Sequence, residues 1–440
     1  MNTAIQNHEV VVIGGGIAGL ATSIFLSRQG KRVVLLERSK DLGGRAQTEV
    51  FDGFSFNLGP HALYRGSAGI KILRELGVEP VGAIPTTSGQ FAIKDWRKHT
   101  LPTGFLSLLT TDLFSLAEKI EVARFLASLS KIRTELITTV PLNVWLEEKV
   151  SQDNVKDFVR AAIRVATYTN APDLISAGAA IHQLKLAFAE SVLYLDHGWQ
   201  TLVDALIQNA VQAGVTIRID SAVKSIERNN KGEVSSVHLT NGEIIRSRVV
   251  VLASDPSTAV KLLGDDARTS LHRFLSNNVK VEAACLDVAL DRLPYPNAKF
   301  ALSIDRPMYL SVHSATARLA PEGGAMIHIA RYLDPNAEEN PDADRQELTR
   351  LLDLVQPGWS ALVRHQRFLP RLTVANAMAA AKINGTLGRP EPEVHDVPGL
   401  YIVGDWVGSE GMLADAALAS AKQAAQLIGG RRPASLAIAS

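Results

Sequence analysis

The chain has 440 residues, beyond the size at which one hydrophobic core usually stays intact, so two domains are expected. Its 46 Lys and Arg balance 45 Asp and Glu, and the net charge of +1 disfavours a polyanionic partner such as nucleic acid. Cys285 is the single cysteine, which excludes an internal disulfide framework and a cysteine-rich metal site and suits a reducing compartment, the cytoplasm by default.

The opening residues, MNTAIQNHEV, lack the basic stretch of a signal peptide, and no later window approaches the roughly 18 uninterrupted apolar residues of a spanning helix. Val10 to Ile13 reads as a short buried strand that Gly14, Gly15 and Gly16 break at once. Apolar residues then recur at helical spacing until Gly30, and a second apolar strand, Val33 to Leu36, ends in the acid Glu37. This is one βαβ unit. Gly14 permits the tight turn, Gly16 lets a pyrophosphate approach the backbone, and Gly19 lets the helix pack closely on its strand. Glu37 is placed to accept hydrogen bonds from the two hydroxyls of a ribose.

Alternation around Asp52-Gly53 predicts a hairpin, followed by a Gly-Pro loop in GPHALY. From about Leu101 to Ala189 the pattern is helical, with LLTTDLFSLAEKIEVARFLASLSKI as one long amphipathic run and PLNVWLEEKV opening another helix at a proline. GWQTLVDALIQNAVQAG then predicts a helix, followed by strands, a hairpin at Asn241-Gly242 and a buried strand from Val249 to Leu252. Strand-like pieces recur in KVEAACLDVAL and GGAMIHIARYL, and the chain closes with a strand, a Gly-Asp turn and an alanine-rich helix. The expected fold class is α/β. A Rossmann-like nucleotide-binding domain would be assembled from residues 1–75, 198–275 and 385–440, and a mixed α+β substrate domain from the insertions 76–197 and 276–384.

Four stretches carry a family resemblance over most of the chain: VVIGGGIAGL with LLER, GGRAQT, GWQTLVDAL and GLYIVGDW. The chain resembles the flavin superfamily of phytoene-desaturase-like enzymes, protoporphyrinogen oxidases and flavin amine oxidases. The resemblance implies noncovalent FAD, its pyrophosphate at Gly14, Gly16, Ile17, Ala18 and Gly19 and its adenosine ribose at Glu37 and Arg38. Gly43, Gly44 and Arg45 would pack beside the phosphates and flavin, and Gly59, Pro60, His61 and Ala62 would lie close to the flavin. Val223 would meet the adenine through its backbone. Asp405, after Gly404, would bond the ribityl or phosphate end, and the amides at Met412, Leu413 and Ala414 would face the flavin's pyrimidine edge. Two departures stand near this region: Asn57 replaces the usual acid of the hairpin, and LADAAL runs where many relatives carry glycine.

No second GxGxxG stands in a βαβ setting and Cys285 has no redox partner, so the substrate itself is expected to donate the hydride to flavin N5. Oxygen, a quinone or another acceptor would take the electrons afterwards. GPHALY, DRLPYPNAKFALSIDRPMYLSVHS and the C-terminal tail resemble desaturase-like enzymes and imply carbon–carbon desaturation of an apolar, isoprenoid-like or polyene substrate. Amine oxidation and porphyrinogen oxidation stay open, as does non-redox binding of a prenylated protein, the role of dissociation inhibitors that share the fold. NNVKVEAACLD resembles the amine-oxidase strand whose lysine reaches toward N5 through a water, here Lys280; a solvated strand-edge lysine is the other reading. His61 is either a proton exchanger near the flavin or a structural histidine after its turn. Tyr64, Tyr168 and Trp406 are candidates for the pocket wall. No metal-ligand spacing appears, and a peripheral membrane contact is left open.

Overall fold

The computed structural model describes residues 6–264 and 269–430. The leader reading on residues 1–5 and the last ten residues of the tail therefore lie outside the described residues.

A five-stranded parallel sheet has the order Thr216–Arg218, Val33–Leu36, Val10–Ile13, Val250–Leu252, Leu400–Ile402. Numbered by position in the chain, that order is 3-2-1-4-5, in which the sheet grows in opposite directions from the strand Val10–Ile13. A crevice opens where the order reverses, at the carboxyl end of that strand, where Gly14 stands. The three central strands are fully buried, which is why they read as unbroken runs of Val, Ile and Leu rather than as alternation. Apolar layers cover both faces, one including the helices Ile17–Arg28, Gln200–Gln212 and Leu413–Ile428.

The hairpin pairs Thr48–Phe51 with Phe54–Asn57, and its corner Asp52-Gly53 has φ of 49° and 82°, the twist a two-residue turn needs. Helix Ala68–Glu75 follows, and beyond Thr100 come five more: Phe105–Thr110, Leu116–Leu129, Leu142–Lys149, Asp153–Thr167 and Ala177–Glu190. The run expected to be one helix is thus two. The first ends at Thr110, and Ser115 starts the second, because its hydroxyl accepts Glu118 N at 3.4 Å while Glu118 Oε2 accepts Ser115 N at 2.7 Å.

A seven-stranded sheet has the order Val363–Ala375, Val281–Leu290, Ala325–Tyr332, Met308–Val312, Phe300–Ser303, Gln90–Lys94, Arg97–Thr100. Its strands come from the two insertions, whereas those of the parallel sheet come from the three other segments. Helix Pro341–Val355 packs on one face, and the helical layer shares an apolar core with the other. A three-stranded ribbon, Leu63–Tyr64, Val192–Leu195 and Gly82–Ala83, lies between the two bodies in the chain's course. Nothing in the sequence pattern marks Gln90–Thr100 as a hairpin, since its corner is Asp95-Trp96, at φ of 50° and 58°, without glycine. Among the described residues no helix is long and apolar enough to cross a membrane.

Candidate functional site

The glycine turn is geometrically obligatory. Gly14 has φ +112° and an added Cβ would sit 2.5 Å from Ala253 O, while a Cβ on Gly19 would sit 1.9 Å from Gly14 O. Those contacts fix the turn and the close seating of the helix on its strand. A second glycine loop is strapped to the first: Gly43 N donates to Gly15 O at 2.8 Å and Gly16 bridges Gly43, with Gly44 beside Gly16. Gly16 caps helix Ile17–Arg28 with no side-chain acceptor, so the first-turn amides through Ile17 and Ala18 stay open to an anion.

Glu37 stands at the rim of this floor. Its Oε2 accepts Gly15 N at 2.7 Å, and its Oε1 accepts Ser39 N at 2.9 Å and Ser39 Oγ at 2.7 Å. Ser39 has one hydroxyl proton and Asp41 O also stands at 2.7 Å, so with that proton on Glu37 one of about four acceptor sites is free, on Oε2, and with it on Asp41 O a second is free on Oε1. Arg38 is exposed beside it. Ser221 N donates to Glu37 O at 2.8 Å, which brings half-buried Val223, at the start of strand Val223–Arg228, to the same end of the sheet.

Arg45 and Asp405, 360 residues apart, meet at 2.8 Å. Asp405 is buried at 2% exposure and also accepts Asn376 N at 3.0 Å and Asn376 Nδ2 at 2.9 Å. Burial alone would raise its pKa, but the Arg45 charge and these bonds outweigh it and hold the carboxyl below its usual value. Arg45 is 41% exposed, so its guanidinium, also bonded to Val374 O, keeps an open side. Asn376 carries no signal in the sequence; it belongs to the site only because its strand returns beside Asp405.

The GPH loop is pinned from several directions. His61 Nδ1 lies 3.1 Å from Gly59 O and Nε2 lies 3.0 Å from Arg45 O, its ring edge-on to Trp199 at 5.0 Å. Tyr168 OH donates to Pro60 O at 3.0 Å, and Arg367 donates to Asn57 O. Burial pushes the His61 imidazole down to about 4, against the raising effect of the Gly59 and Arg45 carbonyls. Either nitrogen can carry the single N–H of the neutral ring, which then holds the loop through one of these two carbonyls. Ala62 packs on the Phe54, Phe56 and Tyr194 cluster. Asn57 Oδ1 accepts Thr48 Oγ1 at 2.7 Å and Trp199 N at 3.0 Å, so the residue replacing the usual acid staples the hairpin to the GWQ turn.

Lys280 is exposed and directly precedes the strand Val281–Leu290; its charge is felt by Asp255, the cap of helix Pro256–Leu263, whose own charge reaches Arg45. Trp406 is fully buried: it donates to Ser254 O at 2.9 Å and stacks on Phe274, within the core rather than at a pocket wall. Tyr64 is buried with its hydroxyl on Ala166 O at 2.8 Å. Tyr168 does join an aromatic group beside the GPH loop, with Tyr332 at 5.8 Å and Tyr309 stacked on Tyr332 at 5.7 Å and 9°. That group was missed because its members come from a helix end and two strands. Cys285 lies in the expected strand but directly beneath the loop, since a Cβ on Gly59 would come within 3.0 Å of its Sγ.

At the closing helix, Met412 is an N-cap without a side-chain acceptor, and Leu413 adopts φ +56°. A bulky residue in that region costs roughly 1–3 kcal/mol and persists where its surroundings dictate it. Ala414 follows in the first turn, and Asp415 turns its carboxylate to Ser67 Oγ at 2.5 Å and Gly69 N at 3.2 Å, capping helix Ala68–Glu75 instead of its own.

Two uncapped helix starts, a double glycine floor, an acid with a free acceptor and a half-open guanidinium fit a dinucleotide with a charged middle and a polar flavin edge. The fold and site define a dinucleotide-binding flavoprotein of the oxidoreductase class. The chain matches the model of the flavin-containing amine oxidoreductases over residues 17–429, and it belongs to that family; FAD is its cofactor. It is 26% identical over 353 residues to the 15-cis-phytoene desaturase of Arabidopsis thaliana, covering 74% of this chain and 60% of that protein. It is 23% identical over 461 residues to a coproporphyrinogen III oxidase of Propionibacterium freudenreichii, covering 87% and 85%. Among solved structures, an oxidoreductase from Methanosarcina mazei superposes with a TM-score of 0.75 at 18% identity, covering 94% of this chain and 98% of that one.

Proposed function

We propose that this protein oxidises a C–H bond of an apolar, isoprenoid-like or polyene substrate in the manner of a desaturase. The observation that carries the reading is the character of the space beside the GPH loop. Tyr168, Tyr309 and Tyr332 stand there with apolar neighbours such as Leu369 and Leu372, while His61 has its ring nitrogens against the backbone oxygens of Gly59 and Arg45. When bound, FAD supplies the hydride acceptor and returns the electron pair to oxygen, a quinone or another acceptor. Gly14, Gly16 and Gly19 would seat the pyrophosphate, Glu37 and Val223 the adenosine, and Arg45 with Asp405 the segment between. His61, Tyr168 and Arg367 hold the loop that aligns a substrate carbon and excludes water.

The named activities of the desaturase and porphyrinogen-oxidase relatives support an apolar ring or polyene over an amine. An aromatic amine slot is disfavoured because Tyr309 and Tyr332, nearly parallel at 5.7 Å, are in offset contact with each other and leave no gap. We also propose the two-domain division given above, and a peripheral membrane contact through Phe105, Leu106, Leu109, Leu116 and Ile120, which are 45–75% exposed on consecutive helices. Anaerobic bleaching of the bound flavin separates the substrate classes: polyenes are expected to bleach it, and bleaching by amines alone overturns the reading. Co-sedimentation with phospholipid vesicles tests the contact, and Phe105→Ser with Leu106→Ser is expected to abolish it.

A further inference from the structure

We propose that Arg389 is a fixed positive charge set behind the N-terminus of helix Leu413–Ile428, where it favours the negatively charged, reduced form of the flavin. The inference rests on the reading that this helix start faces the flavin's pyrimidine edge. Arg389 is 4% exposed, and its Nη1 donates to Gly411 O at 2.9 Å, one residue before the N-cap Met412. Its Nε is buried without a hydrogen-bond partner among the described residues. The carboxylate whose field reaches it is Asp405, which is already in contact with Arg45 and Asn376. Asp405 is thus shared by two guanidinium groups, and Asp255, whose field also reaches Arg45, is not among the charges that reach Arg389.

A buried guanidinium without a counter-ion of its own is unfavourable, and burial pushes this one down to about 10, with Asp405 opposing. Asp415, in the first turn of the same helix, is turned toward Ser67 and Gly69. The open amides of an uncapped helix start and a sealed cation thus occupy one place, and both favour negative charge there. A positive charge near the pyrimidine ring tunes the flavin's electronics, because negative charge accumulates on that edge only on reduction. Arg389 is accordingly a positioning and tuning residue and does not touch the substrate.

Arg389→Gln keeps a donor for Gly411 O and removes the charge; Arg389→Lys keeps the charge. The potential of bound FAD and the sulfite affinity of the oxidised flavin are the readouts, neither of which requires a substrate. Arg389→Gln is expected to weaken sulfite binding at least tenfold and to lower the relative affinity for reduced over oxidised FAD about tenfold, equivalent to about 30 mV for the two-electron couple. Arg389→Lys should keep most of both. Wild-type values in Arg389→Gln with FAD bound overturn the inference alone, as do equal losses in both variants, which would mark a structural support for Gly411. If neither variant retains FAD, the wild-type potential decides: a value at or below that of free FAD in the same cell overturns the inference. A wild-type chain that cannot be reconstituted with FAD overturns the underlying reading itself.

Discussion

Around the parallel sheet the groups set to meet a ligand are backbone amides, glycine turns and one ion pair with an open side. In the seven-stranded sheet one group of polar side chains is sealed from solvent. Asp287, at 0% exposure, accepts His328 Nδ1 at 2.7 Å and Arg367 Nη2 at 2.9 Å, and His313 packs against His328 with Tyr194 stacked on it. The first arrangement waits for a partner from outside; in the second Arg367 reaches out to Asn57 O beneath the GPH loop, while His328 Nε2, His313 Nδ1 and Arg367 Nε are buried without a partner among the described residues. Binding is thus built from main chain, and the shape of the loop is set by buried charge behind it.

Removing an acid from each region should separate these roles. Asp287→Ala strands Arg367 and His328 in a dry interior and is expected to cost about 3–5 kcal/mol of stability. FAD affinity should change little in the molecules that fold, as read by urea unfolding beside flavin titration. Asp405→Ala should cost less, nearer 3 kcal/mol, because solvent reaches Arg45, and it should also weaken FAD binding. Equal effects of both variants on FAD affinity would erase the distinction.

Asp415 sharpens it through pH. Burial raises its carboxyl to about 6, against the lowering bonds from Ser67 and Gly69, so the folded state binds more protons than the unfolded state between about 4 and 6. Stability from this group is present at low pH and lost as pH rises through that window. His61, lowered to about 4 from 6.5, acts oppositely: the unfolded state binds its proton first, so its contribution grows as pH rises from about 4 to 6.5. Asp415→Asn is therefore expected to steepen the rise of stability with pH over that range by about 3 kcal/mol, from a shift of about two pH units. An unchanged pH profile by thermal unfolding would show that Asp415 is not shifted.

Glu37→Ala should weaken FAD binding by about 1.5–3 kcal/mol, the worth of one charge-assisted hydrogen bond, since one acceptor site is free with the Ser39 hydroxyl proton on Glu37. A larger loss would mean that this proton lies on Asp41 O and a second bond forms. The smallest effect belongs to Lys280→Met, expected to leave flavin reoxidation and substrate oxidation within about twofold, as exposed substitutions rarely exceed roughly 0.5 kcal/mol. A loss of orders of magnitude would return the lysine to the flavin.

Glycine turns are legible in sequence because they are local: Gly14 and Gly19 answer constraints set within a few residues. The Asp287, His328 and Arg367 group joins strands 41 and 80 residues apart, and none of these residue types is unusual in its own segment. The same holds for Asn376 and for the tyrosines beside the loop. Lys280 stands directly before its strand, at a boundary that apolar spacing alone does not place. The helical run split at Ser115 was readable in principle, since Ser115 and Glu118 are three apart, but apolar spacing continued across the break.

The lone thiol gives the loop an internal clock. Cys285 is sealed under Gly59 and burial raises its pKa well above the ordinary value, so an alkylating reagent can react only during moments when the loop lifts. With no second cysteine in the chain, the labelling rate counts those openings without any engineered probe. Compared with and without FAD, that rate would show how far the cofactor holds the loop down.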